Sequence, residues 1–218
     1  MPDKHTIRVV YVTSSQFKKE ENEVFVNECS LSDGRRVHEA FLFDIRPVPI
    51  QEILDVDLYK MVSAEVLSAY RQLKVPCIVE HAGLIFSDYK TRSYPGGLTK
   101  PMWDTLKDRF IQETGTAGKR AIARAVIAYC DGKQVKTFVG EREGTIASAP
   151  RGNREFYWDT VFMPDDPSGT VKELTYAEIV ENPSLGLPYK IGRLSQSSIA
   201  MKSFLEYRLQ AGEPELWR

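Results

Sequence analysis

Cysteine is scarce. The 218 residues hold three, Cys29, Cys77 and Cys130, far apart and in apolar surroundings. They form neither a CxxC pair nor an even-numbered framework, which excludes a metal knuckle and a disulfide scaffold and predicts buried, reduced thiols. Excess charge of one sign is lacking as well. Twenty-nine lysines and arginines stand against 30 aspartates and glutamates, so there is no global basic footprint for long nucleic acid, although a local cationic pocket stays open. No apolar run approaches the roughly 18 residues of a membrane span, and the start, Met-Pro-Asp-Lys-His, has no signal-peptide core. The expectation is a soluble, cytoplasmic chain whose partners include neither nucleic acid nor membrane.

What is present is an ordinary globular composition, 42% hydrophobic and 27% charged, which argues against long disorder or a coiled coil. The length exceeds a ~150-residue domain, predicting over 1–218 one large α/β domain or a domain with a small lobe. Residues 7–13 form a β-branched run that ends in Ser14-Ser15 and feeds a Lys/Glu-rich helix. A second strand is expected from Glu39 to Ile45, closed by Arg46-Pro47-Val48-Pro49. Asp57 to Leu73 carries apolar residues at helical spacing, and Lys74 to Glu80 reads as a buried strand. After the turn at Tyr94-Pro95-Gly96-Gly97 comes an amphipathic stretch from Met102 to Thr114. Strands at 120–130 and 136–148 flank the hairpin signal Asp131-Gly132-Lys133, so the sheet must be mixed. A short strand near Val161-Phe162 and a terminal helix from Ser195 to Leu209 complete the pattern.

Three segments could carry chemistry. Thr13 to Glu21 places hydroxyl residues where a strand feeds a helix, leaving amides open to an anion that Lys18 could help hold. The plainer alternative, a serine cap on a solvated helix, suits that segment better by itself. It lacks the glycines of a Walker or dinucleotide loop. In Val79-Glu80-His81-Ala82, titratable groups interrupt an apolar strand, and burying them requires partners. A carboxylate beside an imidazole can do acid/base or metal work, but such a pair is more often structural. Gly140 to Gly152 leads into Phe156-Tyr157-Trp158-Asp159, aromatics that could stack on a purine while the acid reads its edge; an aromatic strand with an aspartate turn fits equally.

In this order the segments resemble the inosine triphosphate pyrophosphatase family, over most of the chain. The opening Thr-x-Asn-x-x-Lys-x-x-Glu pattern is met by Thr13, Lys18 and Glu21, with Ser15 in place of asparagine. Glu80-His81-Ala82-Gly83-Leu84 is similar to Glu-Asp-[Ser/Thr]-x-Leu, and Pro95 to Lys100 to the family's Pro-Gly loop. Phe-x-Gly-x-x-x-Gly-x-Ile is met at Phe138, Gly140, Gly144 and Ile146. Pro-Arg-Gly…Phe-Gly-[Tyr/Trp]-Asp-Pro-x-Phe is met at Pro150, Arg151, Gly152, Phe156, Trp158, Asp159 and Phe162, and Thr175-Tyr176-Ala177-Glu178 matches Thr-x-Ala-Glu. The resemblance implies a mixed, elongated sheet flanked by helices, its two lobes enclosing a nucleotide cleft. It further implies a purine nucleoside triphosphate ligand and a homodimer. Phe156 and Trp158 would stack the base, Asp159 would read its edge, Thr13 and Ser15 would line the phosphate end, and Lys18 and Lys100 would face the phosphates.

The departures lie where the family does its chemistry. His81 replaces an aspartate, leaving Glu80 and His81 as the catalytic candidates and Glu80 as the ligand of a weakened Mg²⁺ site, because magnesium prefers carboxylate and water oxygens. Asp44-Ile45-Arg46-Pro47-Val48 lacks the family's second metal-associated carboxylate; Glu52 lies farther on. Ser195-Gln196-Ser197 stands where Ser-His-Arg grips the base, with Gln196 able to donate to a 6-oxo group and Lys190 standing for the element's lysine. The expectation is a member that binds dITP, ITP or XTP with weakened turnover, as a sensor or regulatory subunit. Such a member suits anti-phage defence with an effector protein that depletes NAD. The alternative is an active house-cleaning pyrophosphatase.

Overall fold

The computed structural model describes residues 6–211, apart from the side chains of Arg154 and Phe156. Among the described residues six strands form one mixed sheet in the order β2-β1-β3-β4-β5-β6. They are β1 (Ile7–Val12), β2 (Phe41–Arg46), β3 (Cys77–Phe86), β4 (Arg120–Cys130), β5 (Val135–Ile146) and β6 (Phe162–Pro164). The helices are α1 (Gln16–Glu28), α2 (Val37–Ala40), α3 (Leu58–Leu73), α4 (Thr99–Leu106), α5 (Phe110–Thr114), α6 (Tyr176–Glu181), α7 (Gly186–Tyr189) and α8 (Gln196–Ala211). This is the α/β architecture expected above.

The parallel part is short. β1 pairs with β2 along its whole length, but with β3 only at Val10↔Cys77 and Tyr11↔Ile78. β3, β4 and β5 then continue as long antiparallel neighbours. The β4–β5 turn forms because the Asp131 carboxylate accepts from the amides of Lys133 and Gln134, both at 2.9 Å.

Strand side chains alternate between faces, and the cores follow that period. Tyr11, Ile78 and Tyr129 pack with Phe25 and Phe204 under α1 and α8. Val10, Val12, Val79 and Val126 pack under α3, on Val62 and Val66. Farther along β3 and β4, Leu84, Phe86 and Ala123 pack with Trp103, Phe110, Phe162 and Tyr176 in a separate apolar cluster. On that face Glu80 lies between Ile78 of one cluster and Leu84 of another.

Two motif glycines are explained by close approach. A Cβ on Gly140 would stand 2.0 Å from the Gln196 carbonyl oxygen, and one on Gly144 would stand 2.3 Å from that of Met163. Gly140 therefore lets α8 lie directly on β5, which sets where Gln196 begins its helix.

Candidate functional site

After Tyr11↔Ile78 the strands β1 and β3 part, and the chain turns through Thr13-Ser14-Ser15 into α1. A cleft of about 660 Å³ opens there, at the carboxyl end of a parallel strand, where open α/β sheets commonly bind ligands. Thr13, Ser15, Lys18, Glu80, His81, Lys100, Trp158, Asp159, Lys190 and Gln196 all line it. Ser195 does not; it is buried, and its Oγ accepts from the Ser198 amide at 3.2 Å. Of the stacking pair, the Phe156 side chain lies outside the described residues. Trp158 is present, with its ring edge-on to Phe162 at 6.4 Å.

The first segment satisfies both of its readings. Ser15 caps α1, its side chain accepting from the Lys18 amide, while Thr13 Oγ1 accepts from the Ser15 amide at 3.1 Å. The same turn carries Lys18 into the cleft, where Nζ donates to the backbone carbonyl oxygen of Glu80. That carbonyl lies on the edge of β3 that β1 has left open, so the lysine satisfies an unpaired strand oxygen. Lys100, exposed at the start of α4, stands with Nζ 5.2 Å from the centre of the Tyr157 ring.

Glu80 and His81 are consecutive in a strand and point to opposite faces. Glu80 faces the α1 side, where Tyr11 donates its hydroxyl to Oε2 at 2.6 Å. Burial and the neighbouring Glu80 charge push the Tyr11 hydroxyl well above its ordinary value, so it remains a donor. His81 faces α3, its Nδ1 3.4 Å from Oε1 of the buried Glu65. That contact lies outside hydrogen-bond geometry, and Glu65 Oε1 has no hydrogen-bond partner among the described residues.

At the other end of the cleft Lys190 is 5% exposed, and its Nζ binds Asp159 Oδ2 at 2.5 Å and Glu21 Oε1 at 2.7 Å. Burial disfavours the ammonium, but the two carboxylates overcome this and hold its pKa above the ordinary lysine value. Glu21 is pushed up by burial, against the attraction of Lys190. Gln196 is buried beside this triad, its Oε1 3.1 Å from the Tyr176 hydroxyl.

Comparison with known proteins agrees with this arrangement. Residues 9–182 match the Ham1 family. The chain belongs to that family. It is 31% identical over 172 residues to the dITP/XTP pyrophosphatase of Hyperthermus butylicus, covering 78% of this chain and 84% of that one. It is 29% identical over 179 residues to the inosine triphosphate pyrophosphatase of Kluyveromyces lactis, covering 76% and 81%. The structure of a HAM1 protein from Coxiella burnetii superposes with a TM-score of 0.63 over 95% of this chain and 100% of that one, at 18% identity. The inosine triphosphate pyrophosphatase resemblance read from the motifs therefore holds, as does the fold.

Within this Ham1 chain the donor set of the described residues forms no protein-built magnesium cage, and a magnesium ion held here would take Glu80 as its carboxylate and phosphate oxygens of the ligand for the rest. Among the described residues no three Asp, Glu, His or Cys side chains converge. Glu80 is engaged by Tyr11, and the next side chain along β3 is an imidazole that turns to the opposite face. Glu52 lines the cleft but is exposed in the segment after β2.

Sequence reasoning gave no role to Tyr11, Glu65 or Tyr157. Tyr157 stands where the motif has glycine and adopts φ 55°, ψ −133°, a conformation that glycine favours. Its ring meets Phe17 edge-on at 6.0 Å. That motif mismatch was the available signal; Tyr11 and Glu65 carried none, since their partners are distant in the chain. Arg142 and Arg151 are spent elsewhere, on the carbonyls of Leu194 and Arg193 and on Glu178.

Proposed function

We propose that this protein binds a deaminated purine nucleoside triphosphate, dITP, ITP or XTP, and turns it over weakly, acting as a sensor or regulatory subunit. The observation that carries this is the contrast within the cleft. The end holding Asp159, Lys190 and Gln196 is organised, while the end holding Glu80 offers no converging carboxylates and has His81 turned to Glu65. Lys18 and Lys100 supply two cations for phosphate oxygens, and Trp158 supplies an apolar wall. Base and phosphates can be held without the means to position an attacking water against a metal-bound phosphate.

In this reading nucleotide closes the cleft and biases a surface of a homodimer towards an effector protein, as in anti-phage defence through NAD depletion. A ligand shifts such an equilibrium only by its differential affinity for the two states. The second reading, a house-cleaning pyrophosphatase in which Glu80 or His81 activates water, is favoured by the names of the curated relatives.

Calorimetric titration with dITP, ITP, XTP, dGTP and ATP in the presence of Mg²⁺, with pyrophosphate release followed on the same samples, separates the two. The sensor reading expects selective binding of a deaminated nucleotide, little release, and release regained in His81→Asp. Rapid release by the unaltered protein, lost in Glu80→Gln, would establish the enzyme instead.

A further inference from the structure

The Thr175-Tyr176-Ala177-Glu178 motif has no role in the reading above, yet it is firmly built beside the cleft. Thr175 caps α6 with a reciprocal box. Its Oγ1 accepts from the Glu178 amide at 3.2 Å, and Glu178 Oε2 accepts from the Thr175 amide at 2.9 Å. Arg151 Nε holds both Glu178 oxygens at 3.0 Å. This box fixes Tyr176, the first residue of α6, fully buried with its ring 5.3 Å from Phe162.

The Tyr176 hydroxyl has one proton and two acceptors in reach, the Leu194 carbonyl oxygen at 2.9 Å and Gln196 Oε1 at 3.1 Å. Leu194 already accepts from Arg142 Nε at 3.0 Å. The Leu194 carbonyl can accept from both, so the tyrosine proton is shared between Leu194 and Gln196, and the Gln196 carbonyl has no other donor among the described residues. Burial raises the Tyr176 pKa far above its ordinary value, so the hydroxyl keeps that proton. A planar amide with its oxygen engaged this way turns its N–H₂ group outward, and Gln196 lines the cleft together with Asp159.

We propose that Tyr176 is a positioning residue that locks the Gln196 amide with its donor towards the purine 6-position, so that the cleft selects 6-oxopurine over 6-aminopurine nucleotides. A 6-oxo oxygen accepts from that donor. A 6-amino group meets it donor to donor, and both groups lose their bonds on desolvation. Asp159 uses Oδ2 for Lys190, leaving Oδ1 to accept from the ring N1–H of a 6-oxopurine, a proton that adenine lacks. An unlocked amide could rotate and serve either edge. The inference rests on the nucleotide reading above.

The test is calorimetric binding of dITP and dATP to the full chain, its Tyr176→Phe variant and its Gln196→Glu variant, with melting temperatures taken alongside. The unaltered protein is expected to prefer dITP by roughly tenfold or more, the effect of one well-placed hydrogen bond. Tyr176→Phe leaves Leu194 its bond from Arg142 but takes the one donor from Gln196 Oε1, a cost that the melting temperature reports and that rotation of the freed amide towards the cleft offsets. The variant should keep its fold while the dITP-to-dATP preference falls towards unity. Gln196→Glu presents only acceptors and should shift the preference towards dATP, which keeps the idea testable if the phenylalanine variant fails to fold. An unchanged preference in a folded Tyr176→Phe, or an unchanged preference in Gln196→Glu, would overturn the lock alone, since Asp159 by itself still favours dITP through the purine N1–H. Failure of the unaltered protein to bind either nucleotide would overturn the nucleotide reading, and the lock with it.

Discussion

The two ends of the cleft are built on different principles. At the Asp159 end a buried ammonium is shared by two carboxylates, and Gln196 is oriented by a buried tyrosine. At the Glu80 end the groups are tied to one another instead: Lys18 to a strand carbonyl, Glu80 to Tyr11, His81 towards Glu65. In the proposed reading the first arrangement holds a shape for the base. The second has cations to offer phosphates but must break its own contacts to use them. In that reading recognition and turnover are separable within one cleft, although α1 contributes to both groups, Lys18 to one and Glu21 to the other.

The largest break in this comparison should come from Lys190→Met. Removing the cation leaves Glu21 and Asp159 as partly buried, uncompensated carboxylates, a change whose cost reaches about 3–5 kcal/mol only where burial is complete and is smaller here. Denaturant unfolding should show that loss, with nucleotide binding abolished. Lys18→Ala should act on the other end alone. Its ammonium satisfies one edge carbonyl that water can reach, so the melting temperature should scarcely move, while dITP affinity falls roughly tenfold for loss of a charge-assisted bond. Equal losses of stability in the two variants would erase the distinction between the ends.

Tyr157 sharpens the comparison from between them. Its backbone conformation carries about 1–3 kcal/mol of strain that glycine would relieve. Part of that gain is offset by glycine's entropy and by the lost contacts with Phe17 and Lys100. Tyr157→Gly should raise the melting temperature by roughly 2–4 °C, the shift that follows from a net ~1 kcal/mol in a chain of this size, while weakening nucleotide binding. A fall in both would show that the ring serves packing rather than the cleft.

The smallest effect concerns pH. Lys190 has a folded pKa raised above its unfolded value, so its contribution is fully present below the unfolded lysine pKa of about 10.4 and is lost as pH rises through the folded one. Stability of the unaltered protein should therefore decline at strongly alkaline pH, with that limb flattened in Lys190→Met. A limb of the same steepness in both proteins would assign it to other groups.

Much of the fold was legible locally. The β-branched run at 7–13, the periodic helix at 57–73 and the hairpin at Asp131 all lie where expected, because each is specified by near neighbours. The sequence predicts one amphipathic stretch from Met102 to Thr114, whereas the structure holds α4 and α5, broken at Lys107, where φ is 49°. α6 carries no periodicity signal, since its six residues are too short for one and are held by a capping box and packing.

Which residues could reach the cleft is written in the linear chain. Lys18, Glu80, Trp158 and Asp159 stand at motif spacings that a reader of one chain can see, and so does the substitution of His81. Which partner each of them meets depends on the folded chain. Lys190 lies 169 residues from Glu21, Tyr11 lies 69 from Glu80, and His81 meets Glu65 only because α3 covers that face of β3. Local periodicity reports which face a side chain occupies. Its partner depends on strand order and register and on which helix packs there, and these are settled by the whole chain together.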